Sequence, residues 1–248
     1  MKNSSAKVQL TLETIAIGFI CIVLLIFTTI VFYRAQELKE QFMDEHKAVA
    51  NKITQLVAAE IGNTLDAKRQ VVDAFVKNNS KLLGQVLNSK DQHIAYEKLN
   101  NTLQSYFVDF FSSNISLETG ELLFDEFDGN IGQQCIIDLQ SYVKSGRHVI
   151  QVHPNPNVYH FDIISQFTSG SNKYLVFVSF NTSKIDTIIR LSQPKNHQLL
   201  LIKDDLIEVS DKGDRSNLVG RLNFNLTDLE KKRILSSAKV NNTNWEVV

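Results

Sequence analysis

The chain has 248 residues, with 26 Lys and Arg against 27 Asp and Glu, a formal net charge of −1 at pH 7 and 43% hydrophobic residues. So neutral a balance, with no long basic block and no interleaving of basic with aromatic residues, excludes the electrostatic footprint of a nucleic-acid binder. The two cysteines, Cys21 and Cys135, cannot form a disulfide framework, because Cys21 falls inside an apolar run and leaves Cys135 alone; Cys135 reads as a buried structural thiol.

That apolar run, Ile15 to Tyr33, comes first in chain order. As a helix rising about 1.5 Å per residue it is roughly 28 Å long, enough to cross a hydrocarbon core. Residues 14–33 are expected to be a transmembrane helix and residues 1–13 a cytoplasmic N-terminus. A cleavable signal would be shorter and would end at small residues, whereas this run leaves through Phe32, Tyr33 and Arg34. Lys2, Lys7 and the terminal amine precede it, while Arg34 and Lys39 beyond it are mixed with Glu37, Glu40, Asp44 and Glu45. This bias puts the N-terminus in the cytoplasm and the bulk of the chain outside it, in a single pass through the bacterial inner membrane.

The pattern then stays helical. Leu38, Phe42, Val49, Ile53 and Leu56 fall on a seven-residue repeat, after which the stripe moves to Val57, Ile61, Leu65, Val72 and Val76. The first set is assigned to a parallel homodimer interface, because nothing nearby in the sequence is available to cover it. Asn78-Asn79-Ser80 interrupts, a short helix Lys81–Leu87 follows, and Tyr96, Leu99, Leu103, Phe107 and Phe110 mark a second amphipathic helix expected to back a sheet. Residues 34–110 are thus a helical stalk with sheet-backing helices.

From Phe111 the period changes to that of strands. Residues 115–119 and 121–127 flank Thr119-Gly120, a helix Gln134–Lys144 closes at Gly146, and strands are expected at 148–153, 158–167 and 174–180. A helix 183–191, a hairpin of 197–203 with 206–210, a helix 226–237 begun at Thr227-Asp228 with Glu230, and a strand 244–248 complete the chain. The fold class is α+β: one transmembrane helix, a long helical stalk, then an antiparallel sheet flanked by helices over residues 111–248. Two strands, a helix and three antiparallel strands is the order of a PAS-type domain, and behind a long helix from a span it is similar to an extracytoplasmic Cache-like domain.

The runs LFDEFDGNIGQQC, HPNPNVYHFDIISQF, LVFVSF, SQPKNHQLLLIKDDLIEVSDKGDR and VNNTNWEVV resemble the N-terminal sensory region of bacterial membrane-bound diguanylate cyclases and cyclic-di-GMP phosphodiesterases. The resemblance implies a sensor of signal transduction whose output, a GGDEF or EAL domain in the cytoplasm, follows a second span. Neither motif occurs in these 248 residues, so the sensory half of such a protein is the expectation. No nucleotide-binding, metallohydrolase or serine-hydrolase motif is present, so no catalysis and no cofactor are expected. The alternatives are a membrane-anchored module that binds another envelope protein, and the sensor half of a histidine kinase or chemoreceptor.

The best candidate site is the hairpin around Pro154–Asn157. A four-residue loop would pair His153 with Val158, Gln151 with His160 and Val149 with Asp162, so that Gln151, His153, His160 and Asp162 share one face. Two imidazoles and a carboxylate there suit an unknown small polar ligand or, more weakly, a divalent metal held by His153, His160 and Asp162. Arg147, just before the first strand, would neutralise a ligand carboxylate. Asp125, Glu126 and Asp128 lack the spacing of a dedicated calcium loop.

Overall fold

The computed structural model describes residues 2–124, 132–146, 149–154, 158–218, 221 and 223–248, with side chains from Ile17 onward. Two compact units are present, Met1–Val49 and Ala50–Val248, and helix α1 (Lys2–Asn78) contributes to both.

In the first unit α1 carries the apolar window, with Phe19, Leu24, Leu25, Phe27 and Phe32 all exposed. Apolar side chains with no protein around them on this scale are consistent with a lipid environment and not with a soluble core. Leu38, Phe42 and Val49 are likewise exposed.

In the second unit the part of α1 after Val49 buries one stripe, Thr54, Val57, Ala58, Ile61, Leu65, Val72, Phe75 and Val76, at the three- and four-residue spacing of one helical face. Ile53, at the margin of the stripe, is half-buried and packs against this same core. Leu56, on the opposite face, is 60% exposed. Lys68 sits on the buried stripe because it has partners there, a 2.6 Å ion pair to Asp109 and the face of the Phe180 ring at 4.4 Å. Helices α2 (Ser80–Leu87) and α3 (Gln92–Tyr106) add Leu83, Val86, Tyr96, Leu99 and Leu103 to the core, α3 being started by the Asp91 carboxylate accepting from the Ile94 amide.

Strands β1 (Phe110–Leu117), β2 (His160–Ser169) and β3 (Asn172–Asn181) form one antiparallel sheet in the order β1-β3-β2. Between β1 and β2 comes helix α4 (Gln133–Ser145), and Gly146 stops it in the left-handed conformation with φ 65°. The sheet separates two apolar layers. Phe161, Ile163, Phe167, Val176, Val178 and Phe180 face α1–α3, while Ile164, Leu175 and Phe177 pack with Cys135 and Leu139 of α4. Each face reads every second residue of β2 and β3, the strand period made visible.

The tail departs from a single sheet. Helix α5 (Ser183–Ser192) leads into β4 (Leu200–Lys203), β5 (Leu206–Ser210), β6 (Gly213–Asp214), α6 (Asp228–Lys231), β7 (Ala238–Lys239) and β8 (Glu246–Val247), and the strands make a second antiparallel sheet ordered β6-β5-β4-β8-β7. Asp204 and Asp205, both at positive φ, form the tight turn of the β4–β5 hairpin. Leu201, Val209, Val240, Trp245 and Val247 join the core beneath α1. The expected helix 226–237 shrinks to α6: the Thr227–Glu230 capping box forms, but Leu229 and Ile234 stay exposed, so no buried face prolongs it. Of the expected strand 121–127, Leu122 makes one bridge to Ser116, and residues 125–131 lie outside the described residues. The expected strand 148–153 reduces to bridges at Ile150, with Thr243, and at His153.

Gly146 tests the α4 terminus. A Cβ there meets nothing within 4 Å, so Gly146→Ala carries only the left-handed penalty and should lower stability by about 1–2 kcal/mol. Gly146→Asn should cost less, read from denaturant midpoints; equal losses would place the strain elsewhere.

Candidate functional site

Three elements converge on the α4 side of the first sheet. Helix α4 supplies Cys135 and Asp138, three residues apart and so on one helical face; β2 supplies His160 and Asp162, two residues apart and so on one strand face; the segment 149–154 supplies Gln151 and His153. His153 pairs with His160 through both backbone bonds, His153 N–H donating at 2.7 Å and His160 N–H at 3.3 Å. The register therefore differs by two residues from the expected pairing of His153 with Val158. Because two is even, parity is kept, and His153, His160 and Asp162 still share a face. Arg147 lies outside the described residues.

The cluster is fully enclosed: Cys135, His153, His160 and Asp162 are each at most 4% exposed. Cys135 Sγ lies 3.3 Å from His153 Nδ1 and 3.2 Å from His160 Nε2. His153 Nδ1 is 3.3 Å from Asp162 Oδ2, and His160 Nε2 is 4.0 Å from Asp162 Oδ1. Around this inner group stands a second ring of partners. Asp138 Oδ2 accepts from His153 Nε2 at 2.7 Å, the Val158 carbonyl accepts from His160 Nδ1 at 3.2 Å, and Ser179 Oγ donates to Asp162 Oδ1 at 2.5 Å. Asp138 Oδ1 accepts in turn from Gln151 Nε2 at 2.5 Å and Gln134 Nε2 at 3.1 Å, and Lys203 Nζ donates to Gln151 Oε1. The His160 ring also faces Phe111, centroid to centroid 4.9 Å.

Burial and charge set the protonation states. Burial alone would lower the His153 pKa, but the carboxylates of Asp138 and Asp162 outweigh it and hold the imidazole up at about 12. Both carboxylates resist the upward push of burial because His153 pairs with them, and sit below the usual range. Burial pushes His160 down, so its imidazole is neutral, and pushes the Cys135 thiol up, so it is protonated. The cluster thus combines an imidazolium between two carboxylates with a thiol able to donate to the free nitrogen of His160.

Sequence reasoning found His153, His160, Asp162 and Gln151, of which Gln151 contacts the group only through Asp138. It missed Cys135 as a participant, and it missed Asp138 and Ser179. The available signal was Cys135 and Asp138 on one turn of a predicted helix, with no means of saying which sheet face that turn would cover.

Beside the cluster, Arg215 Nη2 donates to the Val152 carbonyl at 3.3 Å and lies 3.2 Å from Glu208 Oε2, while its guanidinium stacks over Tyr159 at 4.8 Å. This ties β5 to the segment bearing His153. Glu208 is 1% exposed.

No protein-family model and no curated protein matches the chain. Among solved structures it is similar to the extracellular domain of the candidate histidine kinase rpHK1S-Z16, at 13% identity over 86% of this chain and 94% of that one, with a TM-score of 0.49. It is also similar to the sensory domain of the Campylobacter jejuni chemoreceptor Tlp3 (CcmL) with isoleucine bound, at 12% identity over 86% and 93% of the two chains, TM-score 0.46. The ligand-binding domain of the Pseudomonas aeruginosa PAO1 chemoreceptor PctB in complex with L-Arg aligns at 13% identity over 63% and 67%, TM-score 0.41. At these scores the likeness carries no conclusion about what this chain binds.

Burial raises the Glu208 pKa to about 7 against the pull of Arg215 and Lys203. The folded state therefore holds this proton more tightly than the unfolded chain, whose value is about 4.3, and stability falls as pH rises from there through about 7. Glu208→Gln should remove that fall, so the melting temperature of the variant relative to wild type should climb between pH 5 and pH 8. Parallel curves would show that Glu208 does not couple folding to pH.

Proposed function

We propose that the chain is the membrane-anchored sensory module of a bacterial signal-transduction protein, its α+β domain outside the cytoplasm and its N-terminus inside. The observation that carries this reading is one chain pairing a bilayer-length exposed apolar helix with a compact α+β unit in which one face of a sheet is partly polar and enclosed. Regulation of cyclic-di-GMP turnover through a cytoplasmic GGDEF or EAL domain is the output that the sequence resemblance supports. The module itself carries no catalysis.

The signal leaves through α1. Strand β2 carries His160 and Asp162 on its site face and Ser165 on the other, and Ser165 Oγ donates to Asp73 of α1 at 2.6 Å. A change at the site that shifts β2 therefore pulls on a helix already wedged into the core by Phe75 and Val72. The exposed stripe Leu38, Phe42, Val49, continued by Leu56, is the seam for a second copy, in which two helices would report the change together.

Alkaline-phosphatase fusions after Glu60 and after Lys203 should both be active, with the full-length chain in the membrane fraction; inactivity at both sites would reverse the orientation.

Single cysteines at Phe42, Val49 or Leu56 in a Cys21→Ser background, where Cys135 is buried, should cross-link faster than cysteines at Lys39 or Lys47. Uniform rates would remove the dimer from the reading.

A further inference from the structure

We propose that Cys135, His153, His160 and Asp162 form a closed four-coordinate site for one divalent transition metal of the zinc class, clamping α4 and the 149–154 segment onto β2. The inference goes beyond the sensor reading and does not depend on it.

Convergence is the first ground. One donor atom from each of the four residues lies within 4.8 Å of all the others, all four buried. Metal bonds of about 2.3 Å to sulfur and about 2.0–2.2 Å to nitrogen or oxygen give a tetrahedron with edges of roughly 3.3–3.6 Å. Three of the six edges are 3.2, 3.3 and 3.3 Å, His160 Nε2 to Asp162 is 4.0 Å, and none exceeds 4.8 Å, so loading would draw Asp162 inward. These are separations for four donors around a common point. The two sulfur edges also suit thiol hydrogen bonds, but the His153–Asp162 edge does not suit a direct one, since an imidazolium donating to a carboxylate closes to about 2.7–2.9 Å, as His153 does with Asp138, while its Nδ1 side stands off at 3.3 Å.

The outer ring is the second ground, and it is independent of the inner distances. Metal-binding imidazoles donate their remote N–H to a carboxylate or a backbone carbonyl, which fixes the ring and leaves the near nitrogen as ligand. Both histidines are held in this way, His153 Nε2 by Asp138 and His160 Nδ1 by the Val158 carbonyl. Ser179 holds Oδ1 of Asp162 and leaves Oδ2 toward His153. Both imidazoles and the carboxylate are thus oriented from behind.

Thiolate and imidazole donors select zinc-class ions and disfavour calcium and magnesium, which take oxygen. With four protein donors and no exposed position the site is structural or sensory, and it offers no place for a substrate. The sulfur binds a metal as thiolate, so loading releases protons.

The test uses the full chain in detergent, without a histidine-rich tag, titrated with cobalt(II). One equivalent should produce a thiolate-to-cobalt charge-transfer band in the near ultraviolet and tetrahedral d–d bands in the visible. Zinc(II) should abolish both and calcium(II) neither. Cys135→Ser should lose the charge-transfer band, whereas Cys21→Ser should keep it. Asp138→Asn leaves all four ligands in place, so it should keep the band while weakening cobalt binding about 10–100-fold. Absence of the band in the wild-type chain, its persistence in Cys135→Ser, or undiminished affinity in Asp138→Asn would overturn the proposal. Such a failure would leave the fusion and cross-linking results untouched, because neither involves this cluster.

Discussion

Strand β2 has two faces with incompatible demands, and the arrangement of the second unit follows from meeting both. Its odd-numbered residues, Phe161, Ile163 and Phe167, are committed to the large apolar core under α1–α3. Strand alternation then forces the even-numbered His160 and Asp162 to the opposite face, where α4 shuts out water. A carboxylate so placed is tolerable only with charge and hydrogen-bond partners, since an unpaired buried charge costs several kcal/mol. Those partners come from three directions: Ser179 across the β2–β3 ladder, His153 across the β2 edge and, through His153, Asp138 from α4.

The same constraint explains why helix α4 has a mixed face. Leu139 packs with Ile164, Leu175 and Phe177, while Cys135 and Asp138 meet the polar end of the same sheet face. An apolar residue at position 138 would leave His153 Nε2 without its partner, and a charged residue at 139 would be buried with none. Second-sheet contacts support the group from outside, through Lys203 on Gln151 and Arg215 on the Val152 carbonyl. Lys203 of β4 and Arg215, just after β6, thus brace the segment that carries His153.

β2 also links the cluster to α1. His160 and Asp162 on one face and Ser165 on the other belong to one edge strand, paired along its length with β3. Ser165 donates to Asp73, on a helix whose neighbouring residues Phe75 and Val72 are buried in the core.

Local pattern in the sequence was enough for the apolar span, the helical stripe of α1, the amphipathic α3, helix α4 with its Gly146 stop, the β2–β3 hairpin and the Thr227–Glu230 capping box, because each depends on residues a few positions apart. It also placed His153, His160 and Asp162 on one face despite a register two residues off, since parity survives an even slip. Only the tertiary structure decided that the tail builds a second sheet and that Cys135 and Asp138 complete the cluster. Cys135 lies 18 residues from His153 and 25 from His160, and no periodicity reports how a helix will dock across that distance. The docking is set by which apolar residues of α4 fill the space over Ile164 and Phe177, a matter of packing in three dimensions.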